Sequence, residues 1–176
     1  MFIEIEDLKP EPLHVCHVFP VGEINFSHED ASLDKPVTAD FVLSHKDRDL
    51  HVDGTVETAV RFRCSRCTKE FYRPLATTFD VSYLPQPKWT SHDAEIELRY
   101  EDMEIAYYDG IALDVDLLVL EQIELAIPMK FVCRDDCKGL CYACGADLNE
   151  GACLCKKENA DSRLSALLEF RKKTDS

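Results

Sequence analysis

Between residues 37 and 84 apolar and polar positions alternate with a period of two, the pattern of strands that bury one face. Val56, Thr58, Val60, Phe62 and Cys64 share one side of such a strand, and Glu57, Arg61 and Arg63 share the other. Beyond CSRC, Phe71, Leu75, Phe79, Val81 and Tyr83 again fall on one face, so the two runs are predicted to form a hairpin with Cys64 and Cys67 near its turn. The polar HKDRD after Phe41 and Leu43 predicts another turn, and the opening MFIEIEDLKPEP reads as a first strand. LPQPKWTSHD breaks the alternation and predicts a loop. The period then changes: Val115, Val119, Ile123 and Ala126 recur at helical spacing opposite Asp114, Glu121 and Glu124, and Pro128 closes the run. A last helix is predicted in DSRLSALLEF, where Asp161 can cap and Leu164, Leu167 and Leu168 form a stripe.

These elements predict an α+β protein: an antiparallel sheet with one amphipathic helix near 114–127, then a cysteine-rich zinc-binding lobe and a short C-terminal helix. The expected division is a β-rich domain over residues 1–130 and a lobe with its helix over 131–176. At 176 residues the chain can bury a real core, so disulfides are not needed for folding. The start lacks the basic and apolar runs of a signal peptide, and acidic residues interrupt the most apolar window, IALDVDLLVLEQIELAIP. A cytoplasmic location without membrane contact is therefore expected.

In a reducing compartment clustered cysteines point to metal rather than to disulfides, and an odd total of nine argues against full pairing. Six of the nine lie in CRDDCKGLCYACGADLNEGACLC, residues 133–155. Cys141, Cys144, Cys153 and Cys155, spaced C-x2-C-x8-C-x-C, supply the four thiolates of a tetrahedral zinc site, and Gly145 can take the positive φ that turns backbone amides toward sulfur. Cys64 and Cys67 together with Cys133 and Cys137 make a possible second set, although Cys133 or Cys137 can instead replace a ligand of the first. One or two zinc ions are thus expected, and Cys16 in LHVCHVF is assigned to the core. A redox role for Cys64 and Cys67 would need a strand-to-helix turn, not a hairpin.

No catalytic motif accompanies the cysteines: there is no His-Glu-x-x-His and no glycine-rich phosphate loop, and four thiolates leave zinc no open position for water. No small-molecule substrate is expected. A net charge of -14 repels nucleic acid on average, yet residues 61–73 place Arg61, Arg63, Arg66, Lys69 and Arg73 against Glu70 alone, a local charge of +4. That basic hairpin tip is the candidate RNA contact, and the acidic remainder suits a basic protein partner equally.

CSRC after a strand, the helix ending LEQIELAIP, then CKGLCYACGADLNEGACLC and DSRLSALLEF together resemble the YceD family, the large ribosomal RNA subunit accumulation proteins of bacteria and plastids. The resemblance runs from about residue 55 to residue 170 and is sharpest in GLC-x-x-CG-x-x-LN, with Tyr142 where proline is usual. It implies a non-catalytic role in large-subunit rRNA accumulation and ribosome assembly, with ribosomal RNA or a large-subunit ribosomal protein as partner. The competing reading is a zinc-dependent protein-interaction or regulatory module unrelated to ribosomes.

Overall fold

A computed structural model describes residues 1–86 and 105–155. In chain order its elements are β1 (Phe2–Glu4), a 3-10 turn (Ile5–Asp7), β2 (Leu13–Phe19), β3 (Ala31–Ser32), β4 (Val37–Lys46), β5 (Asp49–Arg63), β6 (Glu70–Pro85), β7 (Ile105–Tyr108), β8 (Ala112–Asp114) and α1 (Val115–Ala126). The main sheet runs β2-β4-β5-β6-β7, with β3 added to the far end of β5, and β1 pairs with β8 in a second, two-stranded sheet. The predicted α+β class holds. The C-terminal stripe of Leu164, Leu167 and Leu168 and most of LPQPKWTSHD lie outside the described residues.

Alternation dictates the sheet. Val37, Ala39, Phe41 and Leu43 of β4 and Leu50, Val52, Val56, Val60 and Phe62 of β5 all point to the core. HKDRD turns where expected, with Asp47 at a φ of 58° between β4 and β5. Asp114 caps α1 by accepting from the backbone N–H of Asp116 at 3.1 Å and of Leu117 at 3.3 Å. The helix then buries Val115, Leu118, Val119 and Ile123 against Phe41, Val52 and Phe79 on the inner face of the sheet.

Three features depart from the alternation argument. β7 pairs with β6 in parallel, Ser82 opposite Ile105; period two says which face a strand buries and nothing of its direction. Only the first residues of MFIEIEDLKPEP form a strand, the next three making the 3-10 turn. Cys16 is exposed rather than in the core: β2 is an edge strand whose Val15, His17 and Phe19 turn inward, leaving His14, Cys16 and Val18 on the outer face.

A smaller apolar cluster of Ala31, Val60, Phe62, Leu75 and Phe131 lies at the distal end of β5 and β6. Phe131 stacks on Phe62 with ring centroids 4.7 Å apart and is 8% exposed. This contact brings the chain leaving α1 across the sheet to the β5–β6 turn. There the carbonyl of Phe131 accepts from both the backbone N–H and the hydroxyl of Ser65, at 2.8 and 2.7 Å. Phe131→Ala is expected to cost about 3 kcal/mol in urea unfolding and Phe131→Leu about 1 kcal/mol, because the ring fills a cavity that the sheet cannot close.

Candidate metal centres

The β5–β6 turn is built for its cysteines. Cys64 ends the buried face of β5, its N–H donating to the carbonyl of Lys69 at 2.9 Å, and Thr68 closes the loop onto the carbonyl of Cys64 at 2.8 Å with a φ of 60°. Phe131 delivers Cys133 to the same place, where its backbone N–H reaches Cys64 Sγ at 3.4 Å. The sulfurs of Cys64, Cys67, Cys133 and Cys137 all lie within 4.8 Å of one another, with Cys64 to Cys137 at 3.9 Å and Cys67 to Cys133 at 3.7 Å.

The second group lies just beyond. Gly139, at a φ of 76°, passes so close to the hairpin that a Cβ there would stand 2.9 Å from the carbonyl of Arg66. Gly145, at a φ of 72°, turns the chain so that its N–H returns to the carbonyl of Cys141 at 2.8 Å. The sulfurs of Cys141, Cys144, Cys153 and Cys155 also lie within 4.8 Å of one another, Cys153 to Cys141 at 3.4 Å.

These separations fit a metal and exclude disulfides. A tetrahedron with metal–sulfur arms of about 2.3 Å has sulfur–sulfur edges of about 3.8 Å, whereas a disulfide needs about 2.05 Å. All nine cysteines are free thiols. Electrostatics prepare each group for a cation. Burial opposes ionisation of Cys64, but the backbone N–H groups of Cys133, Cys67 and Arg66 outweigh it and hold its thiol down to about 6. The N–H groups of Cys144 and Ala143 bring Cys141 to about 6. Burial and the sulfurs around it push Cys133 up to about 12, and the sulfur of Cys144 does the same for Cys155. Each group thus holds at least one sulfur drawn toward the thiolate and at least one that its surroundings keep protonated, a balance that a positive ion would shift toward ionisation.

The structure therefore assembles the two sets of four that the spacing suggests, each able to hold a metal ion. The basic tip is a different matter. Arg61 pairs with Asp34 at 3.0 Å and Glu70 at 2.9 Å, and Lys69 with Asp147 at 2.9 Å and Glu150 at 2.7 Å. Arg66 donates to the carbonyls of Asp135 and Cys137 at 3.1 and 2.8 Å. Arg63 stands 3.7 Å from Asp30, and Arg73 is exposed with no ion pair among the described residues. Net charge counting does not see these carboxylates, since Asp34, Asp147 and Glu150 are distant in sequence. It also misses Asn149, whose side-chain N–H reaches Cys137 Sγ at 3.5 Å. Its place in CG-x-x-LN was the available signal.

A small mixed sheet carrying two four-thiol groups, one clasping a hairpin tip and one closing a loop of its own, defines a protein with two sites able to hold a metal ion. A family model described as large ribosomal RNA subunit accumulation protein YceD matches residues 52–171. The chain belongs to the YceD family. It is 29% identical over 151 residues to the chloroplastic large ribosomal RNA subunit accumulation protein YCED homolog 2 of Arabidopsis thaliana, covering 82% of this chain and 62% of that protein. It is 23% identical over 156 residues to homolog 1 of Arabidopsis thaliana, covering 77% and 49%, and 25% identical over 146 residues to homolog 1 of Zea mays, covering 70% and 50%. The chain thus spans about half to three fifths of the length of these relatives. No solved structure matches it.

Acid separates the two kinds of support around the sulfurs. The Lys69 ammonium and the backbone N–H of Asn149 hold the Asp147 carboxyl down to about 2. A depressed carboxyl contributes its stability above its ordinary value of 3.8 and loses it as pH falls through about 2. Metal affinity instead falls as soon as protons compete for thiolates. Lowering the pH from about 7 to about 5 is therefore expected to release metal while the Lys69–Asp147 pair stays intact, as followed by a chromophoric chelator. Release only near the titration of Asp147 would assign the lability to the ion pair.

Proposed function

We propose that this chain is a non-catalytic factor for large-subunit ribosomal RNA accumulation, acting in ribosome assembly as a rigid docking body held by two zinc ions. The names of its chloroplastic relatives support the process. Zinc is the ion that four thiolates in a closed tetrahedron favour, and such a site supports shape rather than chemistry. The division at residue 130 is then one of folding energy, since the lobe from 131 onward gains its stability from metal rather than from burial.

The partner is best read as a basic ribosomal protein of the large subunit, met by the outer face of the sheet. The observation carrying this choice is the charge on that face: Asp53 and Asp80 stand directly opposite each other on β5 and β6, with Asp40 and Glu57 nearby, and their neighbours are the imidazoles of His14, 2.6 Å from Asp40, and His51, 3.5 Å from Asp80. Like charges in register destabilise a sheet, and a cationic partner would relieve them. Direct RNA contact is the second reading and rests on Arg63 and Arg73, the tip cations held least closely by protein partners among the described residues. Arg61, Arg66 and Lys69 would have to leave protein partners before meeting phosphate.

Sedimentation of the tagged chain with large-subunit precursors tests the process. Asp53→Asn with Asp80→Asn is expected to weaken that association several-fold and to leave crosslinking to RNA no stronger, while Arg63→Glu with Arg73→Glu changes it less than twofold. The reverse order, with a salt slope lowered by the arginine changes, would make the tip an RNA contact. Absence of the chain from every precursor fraction would favour an interaction module unrelated to ribosomes.

A further inference from the structure

We infer that the two four-thiol centres load metal cooperatively, coupled through residues 147–150, with Asn149 acting as a positioning residue for the centre to which it contributes no ligand. The inference rests on the reading that both centres hold metal. Residues 147–150 lie in the eight-residue spacer between Cys144 and Cys153, so the second centre fixes their ends. Their side chains nevertheless serve the first centre. The Asn149 Nδ2 group donates to Cys137 Sγ at 3.5 Å and to Asp147 Oδ1 at 2.7 Å. Its Oδ1 accepts from the backbone N–H of Lys138 and from Arg134 Nη2, both at 2.8 Å. One amide thus holds a ligand sulfur of the first centre and the chain on both sides of that ligand.

A second tie runs through Lys69, two residues beyond Cys67, which grips Asp147 and Glu150. The Asp147 side chain is 12% exposed, so this pair is shielded on one side. The backbone adds a third. Leu140 N–H donates to the carbonyl of Arg66 at 3.0 Å, Leu148 N–H to Gly139 at 2.9 Å and Cys141 N–H to Ala146 at 2.8 Å. Whichever ion binds first must order this shared segment, and the second then binds to a segment already ordered. A cost met once by two binding events is positive cooperativity. Acting in the other direction, the first centre fixes Cys137 and, four residues on, Cys141.

Stripping the full chain under reducing conditions and titrating it with cobalt(II) against a competing chelator reads both centres. Native mass spectrometry of the same samples counts ions per chain. The one-ion species is expected to stay well below the population that two independent sites would give. Cys141→Ser with Cys144→Ser, which disables the second centre, is expected to weaken cobalt at the first at least tenfold. Outer-shell partners of metal ligands are typically worth about 10- to 100-fold in affinity, so Asn149→Ala should fall in that range while keeping all eight thiols. It should also shift the thiolate-to-cobalt charge-transfer band, because Cys137 loses a hydrogen bond. Lys69→Met offers the same affinity test with every ligand and Asn149 in place. Two ions bound with independent affinities, unmoved by Asn149→Ala and Lys69→Met, would overturn the coupling alone. A wild-type chain that takes up no ion would overturn the centres themselves, and the coupling with them.

Discussion

The meeting of four sulfurs from two chain segments more than sixty residues apart is the constraint from which the rest of the lobe follows. Cys64 and Cys67 arrive on a hairpin whose turn exists to present them, and Cys133 and Cys137 arrive on the strand of coil that leaves α1. Neither segment has enough apolar surface to hold the other: Phe131 on Phe62 is the last sizeable apolar contact before the cysteines begin. Past that point, among the described residues, sulfur, Phe71, hydrogen bonds and a few ion pairs join the lobe to the sheet. A metal–thiolate tetrahedron replaces in a few ångströms what a core would need many side chains to supply.

This division of labour explains where the charges sit. The tip looks basic in sequence because its cations are clustered within residues 61–73, whereas apart from Glu70 their carboxylate partners come from around β3 and from the cysteine-rich lobe. Arg66 and Lys69 point back into that lobe, one to carbonyls and one to Asp147 and Glu150. They act on shape before they can act on any ligand. Among the described residues the open face of the sheet is instead acidic, with Asp53 opposite Asp80 and the imidazoles of His14 and His51 beside Asp40 and Asp80, which leaves the helix side and the thiol side free for packing.

Much of this was legible in the residues. Alternation put Val56, Val60 and Phe62 together on one face of β5, the face that is buried, and helical spacing with Asp114 and Pro128 bracketed α1 within a residue or two. Cysteine spacing singled out Cys141, Cys144, Cys153 and Cys155 as one group and offered Cys64, Cys67, Cys133 and Cys137 as a possible second, leaving the place of Cys133 and Cys137 open until the sulfurs are seen in space. Three things were not legible, each for a physical reason. Strand direction leaves no trace in a period of two, so the parallel β6–β7 pair was invisible. Edge position depends on the whole sheet order, so Cys16 in an apolar strand read as core. Salt-bridge partners distant in sequence cannot be inferred from local charge, so a tip whose cations are mostly paired read as an open one.

X-ray absorption at the metal edge of the purified full chain, combined with a count of ions per chain, tests the central claim most directly. The account predicts two zinc ions per chain, each in an all-sulfur shell at about 2.3 Å. A shell containing nitrogen or oxygen, or a single ion per chain, would contradict it, because at least one of the two groups of four sulfurs would then not be a metal centre.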